Sequence, residues 1–460
     1  MEDQGTRGRP QGLTLRSTRP WQGDRKVAQI QNSIGSESIL LPQVFDGDAC
    51  LPDLPRSVIP WPGAGTQPQI ARCLDRARAH GGWRWPDVPV VFVSDPHADA
   101  EGFLRSLTAA GVIHRAGGRI GLTGFGQRAR IVLGGDSLDK GPSNLALLDA
   151  IAALRATGAD VHILAGNHDL RMRMAVAALR GPKSPLREHL FVRMGRKILP
   201  ALREVLERFV TAGDLDALPD EATCKARLLP RADWAVRFEQ AARAELRPKV
   251  IAKETAKLGA KLAKFDAECA RSGMTCREIL AAALKCHQVF FEPGGTYAWF
   301  YDSMDVVARS GSLLFVHAGL CDSMCDLLVR EGPEAVNARY RAAAEDASLG
   351  FYFGPLANLV RTKYRASDCA LTDRGVGALH RAGIHMVVQG HVNNHAGQRL
   401  LAKRGLLHLE GDITLDRASR ALEGLEGIGA GATLIFPSGD VIGLSRDYPS
   451  AKHFAPERMS

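Results

Sequence analysis

The chain has 460 residues, 45% of them apolar and 24% charged, with a formal charge of +9 at pH 7. That length admits one large domain with an insertion, or two to three domains, and the composition excludes a fibrous or low-complexity protein. No stretch is long and apolar enough to span a bilayer, residues 1–20 lack the apolar core of a secretory signal, and the basic excess suits anionic partners without choosing among nucleic acid, phosphoprotein and nucleotide.

The nine cysteines are scattered and form no CxxC pair, which argues against a disulfide framework or a structural zinc site. Cys321 and Cys325 have helix-face spacing and read as ordinary thiols. Free thiols point to a reducing compartment, so a cytoplasmic location is the expectation.

In chain order, residues 1–32 are polar and expected to be mobile. Residues 39–62 mix apolar residues with Pro and Gly and read as an irregular extension on the core, and 67–80 as a short helix, so that 1–80 is an N-terminal extension. Apolar runs at 88–93, 131–133 and 161–165 alternate with expected helices at 100–110, 144–157 and from 170 onward. This β-α rhythm predicts a layered α/β sheet, with 81–180 as the first half of a core.

The rhythm stops over 181–295, which reads as a helical insertion. Helices are expected at 198–212, 232–247 and 250–271, and at 279–291 behind a Thr275/Glu278 capping box. Its Lys/Arg-rich run reads as a solvated face. Residues 296–450 form the second half of the core. Strands are expected at 313–316 and 386–388, a helix at 373–382, and a loop or short helix at 354–365 carrying Arg361, Lys363 and Arg365. The β-like runs 406–409, 432–436 and 441–444 read as a second sheet packed on the first, and 451–460 as a tail.

Five apolar runs each end in residues able to bind a metal: Asp95 and His97, Asp136, Asn167, His317, and His391. Buried parallel strands look like such runs, and ligand sites in α/β folds gather at their carboxyl ends. Asp95 and His97 are two apart, so on an extended backbone both face one way. The glycines before Asp136 permit a tight strand-to-loop turn, and a carboxylate has oxygens enough to bridge two metals. Asp139 and Lys140 follow, placed to support the site and to contact phosphate. His168 is a side chain able to protonate a leaving oxygen. Two Asp, one Asn and three His at one sheet edge can carry two divalent cations, which points to hydrolysis of a phosphoric ester by metal-activated water. Mixed N/O donors suit Mn, Fe, Zn or Co more than Ca.

The ordered series Asp-x-His, Gly-Asp-x-x-Asp, Gly-Asn-His-Asp, His and Gly-His, over about 88–169 and 313–393, resembles the calcineurin-like metallophosphoesterase superfamily. The Asp-Lys-Gly-Pro and His-Ala-Gly-Leu segments are most similar to its phosphoprotein-phosphatase branch, which includes serine/threonine phosphatases and symmetrical diadenosine tetraphosphatases. The resemblance implies a two-sheet β-sandwich flanked by helices, with a dinuclear site at one rim. It implies Asp95 and His97 on the first metal, Asp136 bridging, Asn167, His317 and His391 on the second, and His168 as general acid paired with Asp139. The implied reaction is in-line attack by a hydroxide held between the metals. The expected activity is that of a phosphomonoesterase or protein-phosphatase-like enzyme. A nucleotide pyrophosphohydrolase of the diadenosine type is one alternative, and a nucleic-acid-binding protein or nuclease is another. This chain departs from the pattern at Lys140, where the branch has Arg; Arg361 or Arg365 would then supply the bidentate fork that Lys lacks. His395 lies four residues after His391, whereas other branches have Gly-His-x-His, and it is not counted as a ligand. The helical insertion is absent from the compact family pattern.

Overall fold

Every position of the strand Val90–Val93 is apolar and buried, as an interior parallel strand covered on both faces requires. In the computed structural model, which describes residues 29–30, 39–40, 54–55 and 57–459, this strand lies inside an eight-stranded sheet. The order there is Val58–Pro60, Ala451–Phe454, Val441–Ser445, Gly431–Ile435, Val90–Val93, Arg130–Leu133, Asp160–Leu164 and Met304–Asp305. The last four run parallel to one another. A second sheet of five strands has the order Val307–Ser310, Leu313–Val316, Met386–Gln389, Leu406–Glu410, Arg399–Lys403. Its three central strands are parallel and both edge strands antiparallel.

The two sheets pack through alternate side chains. Phe92, Val132 and Leu164 from one sheet share a buried cluster with Phe315, Val388 and Leu409 from the other. The Phe92 and Phe315 rings lie 6.0 Å apart. Burying each such side chain contributes about 1.5–3 kcal/mol. This two-layer arrangement, with helices on the flanks, is the expected fold class.

Register decides where the site forms. Val93 pairs with Leu133, and Leu133 with Ile163, so three parallel strands of the first sheet end level. Val316 pairs with Gln389 in the second. The residues that follow these strand ends therefore share one rim.

Three expectations change. The runs at 432–436 and 441–444 do not build a second sheet. Gly431–Ile435 pairs antiparallel with Val90–Val93 and enlarges the first, while Leu406–Glu410 joins the second. Residue alternation marks a strand but not the sheet that receives it. The supposed tail contains Ala451–Phe454, which bridges Val441–Ser445 and Val58–Pro60. A helix over Asp322–Asp346 was not anticipated. Gly332, at φ 84, and Pro333 interrupt its pattern midway.

Between Asp160–Leu164 and Met304–Asp305 the chain is helical, including Leu199–Phe209, Trp234–Ala242, Pro248–Ser272 and Cys276–Phe291. Thr275 and Glu278 form the expected capping box. Within residues 1–43, Gln29–Ile30 pairs antiparallel with Ile39–Leu40. The expectations of a mobile 1–32 and an irregular 39–62 fall largely outside the described residues. No described helix is long and apolar enough to cross a membrane.

Candidate metal centre

Beyond each strand end the backbone turns sharply. Asp95, His97, Asp136 and His391 all have positive φ, at 55, 43, 53 and 68. Such conformations cost about 1–3 kcal/mol each for non-glycine residues and persist only where neighbours impose them. Here the loops bind one another: Asp95 N–H donates to Gly135 O at 3.1 Å, His97 N–H to Asp136 O at 3.1 Å, and Ala98 N–H to Ser137 O at 2.7 Å. Gly390 allows the two sheets to meet, since a Cβ there would lie 2.1 Å from Asp95 Oδ2.

The result gathers the six expected ligands. His317 donates its Nδ1–H to Gly134 O at 2.7 Å. That bond leaves Nε2 as a lone-pair donor, 3.4 Å from Asp136 Oδ1. This buried Nε2 has no hydrogen-bond partner among the described residues. His97 Nε2 lies 3.7 Å from Asp95 Oδ1, and His391 N–H donates to Asp95 Oδ2 at 3.0 Å. Donor atoms of Asp136, His317 and His391 lie within 4.8 Å of one another, as do those of His97, Asp136 and His168. Asp136 belongs to both groups, as a bridging ligand would. Asn167 presents its amide to His391 Nδ1 at 2.7 Å. With its nitrogen on that side Asn167 donates to the His391 ring; with its oxygen there it would serve as a neutral ligand to a divalent cation. An unpartnered buried imidazole nitrogen aimed at a shared carboxylate is the donor chemistry that divalent cations require, so the residues fit a dinuclear centre.

The electrostatics agree. Burial raises the Asp95 carboxyl above its usual range, with the Asp136 charge adding to the effect. Burial works against charging His97 and His317, yet the surrounding carboxylates prevail and lift them to about 9 and about 10. The pocket strongly attracts positive charge. His168 behaves oppositely: burial drops it to about 4 despite Asp136 and Asp139.

The expected His168–Asp139 pair forms, with Nδ1 3.0 Å from Asp139 Oδ2. Of the expected phosphate contacts, Arg361 and Arg365 line a cavity of about 400 Å³ that also includes Asn167 and His391. Lys140 does not line it; the charges acting on it are chiefly those of Arg196 and Glu268. His395 is turned away from the site and pairs with Glu423 at 2.8 Å. Another cavity, about 900 Å³ and lined by Arg84, Arg130, Asp305 and Arg341 among others, contains none of these residues.

Sequence reasoning missed Lys197, whose Nζ stands 2.9 Å from His168 Nε2. Nothing in its sequence context marks it. It also missed Asp412, a buried carboxyl held well above its usual range by burial and then by the Asp95 charge. That residue did carry a signal, because it follows the strand Leu406–Glu410 just as the expected ligands follow theirs.

The chain resembles the calcineurin-like metallophosphoesterases in its two-sheet layout, in motif order and in the side chains gathered at one rim. No protein-family model and no curated protein matches it. Among solved structures it is similar to a cold-active protein tyrosine phosphatase, with TM-score 0.41 and 14% identity over 80% of this chain and 78% of that one. The cold-active protein-tyrosine phosphatase of a psychrophilic Shewanella species gives TM-score 0.39 and 17% identity over 80% of each chain. At this distance the likeness carries no argument about chemistry.

Proposed function

We propose that the protein is a dinuclear-metal-dependent phosphoric ester hydrolase acting on a phosphomonoester-type group. The observation that carries this reading is Asp136, shared between two groups of donors that arrive from different sheets. Asp95, His97, Asp136, Asn167, His317 and His391 would hold the two cations. Bound there, the cations supply Lewis acidity toward a phosphoryl oxygen and a nucleophilic water at neutral pH.

The chain's own groups handle the proton and the charge. Asp139 fixes the His168 ring by accepting from Nδ1–H, which turns Nε2 toward Lys197. As the ester P–O bond breaks, its electron pair goes to the departing oxygen. His168 and Lys197 together hold the proton which that oxygen takes up, while the new P–O bond comes from water. Arg361 and Arg365 stand in the adjoining cavity, where they would face the phosphoryl oxygens.

The test is hydrolysis of a chromogenic phosphomonoester with added Mn. Activity in the native chain and loss of activity in Asp136→Asn are expected. Equal activity in Asp136→Asn would remove this reading.

A further inference from the structure

The helical middle region contributes half of the residues lining the 400 Å³ cavity, and of those the catalytic reading uses only Lys197. Ten of the sixteen residues lining the 400 Å³ cavity are Lys or Arg, and one is acidic. Some of these cations are already engaged. Arg193 pairs with Glu254, Arg196 with Glu268 at 3.8 Å, and Lys197 with Asp139 at 3.6 Å. Arg361 stacks over the Tyr352 ring at 3.8 Å. The side chains of Arg171, Lys257, Lys261, Lys264, Lys363 and Arg365 make no ion pair with any described carboxylate.

Three of those free cations form a designed-looking row. Lys257, Lys261 and Lys264 are spaced i, i+4, i+7 on the helix Pro248–Ser272, which places them along one face. That face is the one next to the packed side of the helix, where Phe265 meets Phe191 with ring centroids 5.7 Å apart. Phe265 also sits so close to Gly195 that a Cβ there would lie 2.8 Å from its ring. The packed Phe265 sets the helix beside the segment that carries Arg193 and Lys197, and the three exposed lysines line the same cavity as those two residues. All three lysines are exposed, as a solvated charge run requires, and they line the cavity as well; a helix wheel shows which residues share a face but not what that face overlooks.

A concave pocket lined by one sign of charge concentrates counter-ions. Like charges held together without a partner repel. Burial, then Arg193 and Arg171, push the Lys261 ammonium down from its ordinary value. Burial opposes ionisation of Tyr352, but Arg193, Arg361 and Arg171 bring it down to about 7. An occupant that brings several negative charges relieves this repulsion further than a single phosphoryl group does. The cavity volume lies within the ~300–1,000 Å³ typical of small-molecule sites.

We infer that this cavity is an oligophosphate subsite: the substrate is a small phosphate ester that carries at least one further phosphate beyond the reacting group, gripped by the Lys257/Lys261/Lys264 row. The inference rests on the hydrolase reading for the identity of the reacting group, since Asn167 and His391 line the same cavity.

The test is calorimetric titration of the metal-free full chain with inorganic tripolyphosphate and with inorganic phosphate, a readout independent of turnover. Tripolyphosphate is expected to bind at least about tenfold more tightly. The variant K257Q/K261Q/K264Q is expected to lose that margin. The control K249Q/K253Q, on the same helix but outside the cavity lining, is expected to keep it, and thermal melts establish that both variants fold. ATP binding as tightly as tripolyphosphate means the phosphates alone are read. Tighter ATP binding means a base is held as well, and both outcomes support the subsite. Equal affinity for phosphate and tripolyphosphate overturns it, as does an unchanged margin in the triple variant. A single-stranded oligonucleotide that binds through the same lysines and is not displaced by tripolyphosphate also overturns it. If the native chain hydrolyses no ester with Mn but the lysine-dependent margin is present, the subsite stands and the hydrolase reading falls.

Discussion

Lys197 Nζ lies 2.9 Å from His168 Nε2, while Asp139 Oδ2 lies 3.0 Å from the other ring nitrogen. Burial holds His168 at about 4, so near neutral pH the ring is uncharged and accepts from the ammonium. Two groups thus share one proton position. Lys197→Met is expected to lower kcat by about tenfold or more, and His168→Asn by about a hundredfold, the lower range for a positioned proton donor. Steady-state kinetics on a phosphomonoester decide this. A Lys197→Met enzyme with native kcat would reduce Lys197 to a bystander.

At Gly390 the two sheets approach each other closely at the rim. A methyl group there would lie 1.9 Å from Ser94 Oγ and 2.1 Å from Asp95 Oδ2. The Asp95 carboxylate must move, or the Gly390 backbone must. Gly390→Ala is expected to weaken Mn binding by about 10- to 100-fold, as displaced support of a ligand does, and to destabilise the fold by about 1–3 kcal/mol. Metal titration and thermal melts measure the two effects separately. Unchanged Mn affinity would mean that Asp95 is not a ligand.

The legible part of this protein was the part written in short range. Asp95, His97, Asp136, Asn167, His317 and His391 each follow an apolar run, and the runs form strands that end level. The side chain contributed by the turn between Leu190–Gly195 and Leu199–Phe209 was not legible. Lys197 reaches His168 across 29 residues, and no local pattern encodes that contact. Sheet membership was also hidden: Gly431–Ile435 pairs with Val90–Val93 over more than three hundred residues of sequence, and such pairing depends on the whole topology. The lysine row of Pro248–Ser272 was visible as a pattern and is exposed as expected; that it also lines the cavity was not legible, because the packing of Phe265 against Gly195 and Phe191 places the helix there.

A centre that draws positive charge links cation binding to folding. Adding Mn at a hundredfold excess over its Kd is expected to stabilise the native chain by about 2.7 kcal/mol per site. Asp136→Asn removes the carboxylate common to both donor groups, so most of the increment should vanish. Calorimetric melts with Mn and with chelator provide the comparison. An Asp136→Asn chain that gains as much from Mn as the native chain would show that the metal binds elsewhere.

The Arg193–Glu254 pair ties the helix Pro248–Ser272 to Leu190–Gly195, with Glu254 only 7% and Arg193 14% exposed. Burial opposes ionisation of Glu254, but Arg193 outweighs it and holds the carboxyl below its ordinary value of 4.5. A depressed carboxyl contributes stability that is complete above its unfolded value and disappears as pH falls through the folded one. The native chain should therefore lose stability on acidification below about pH 4.5 in part through this group. Glu254→Gln leaves Arg193 buried without its anion and is expected to cost about 3–5 kcal/mol near neutral pH. In acid the two proteins should converge, because protonated Glu254 and Gln are then alike in charge. Melting temperatures of both chains from pH 7 to pH 3 test this. A difference that stays constant across the range would mean that the destabilisation comes from packing and not from the ion pair.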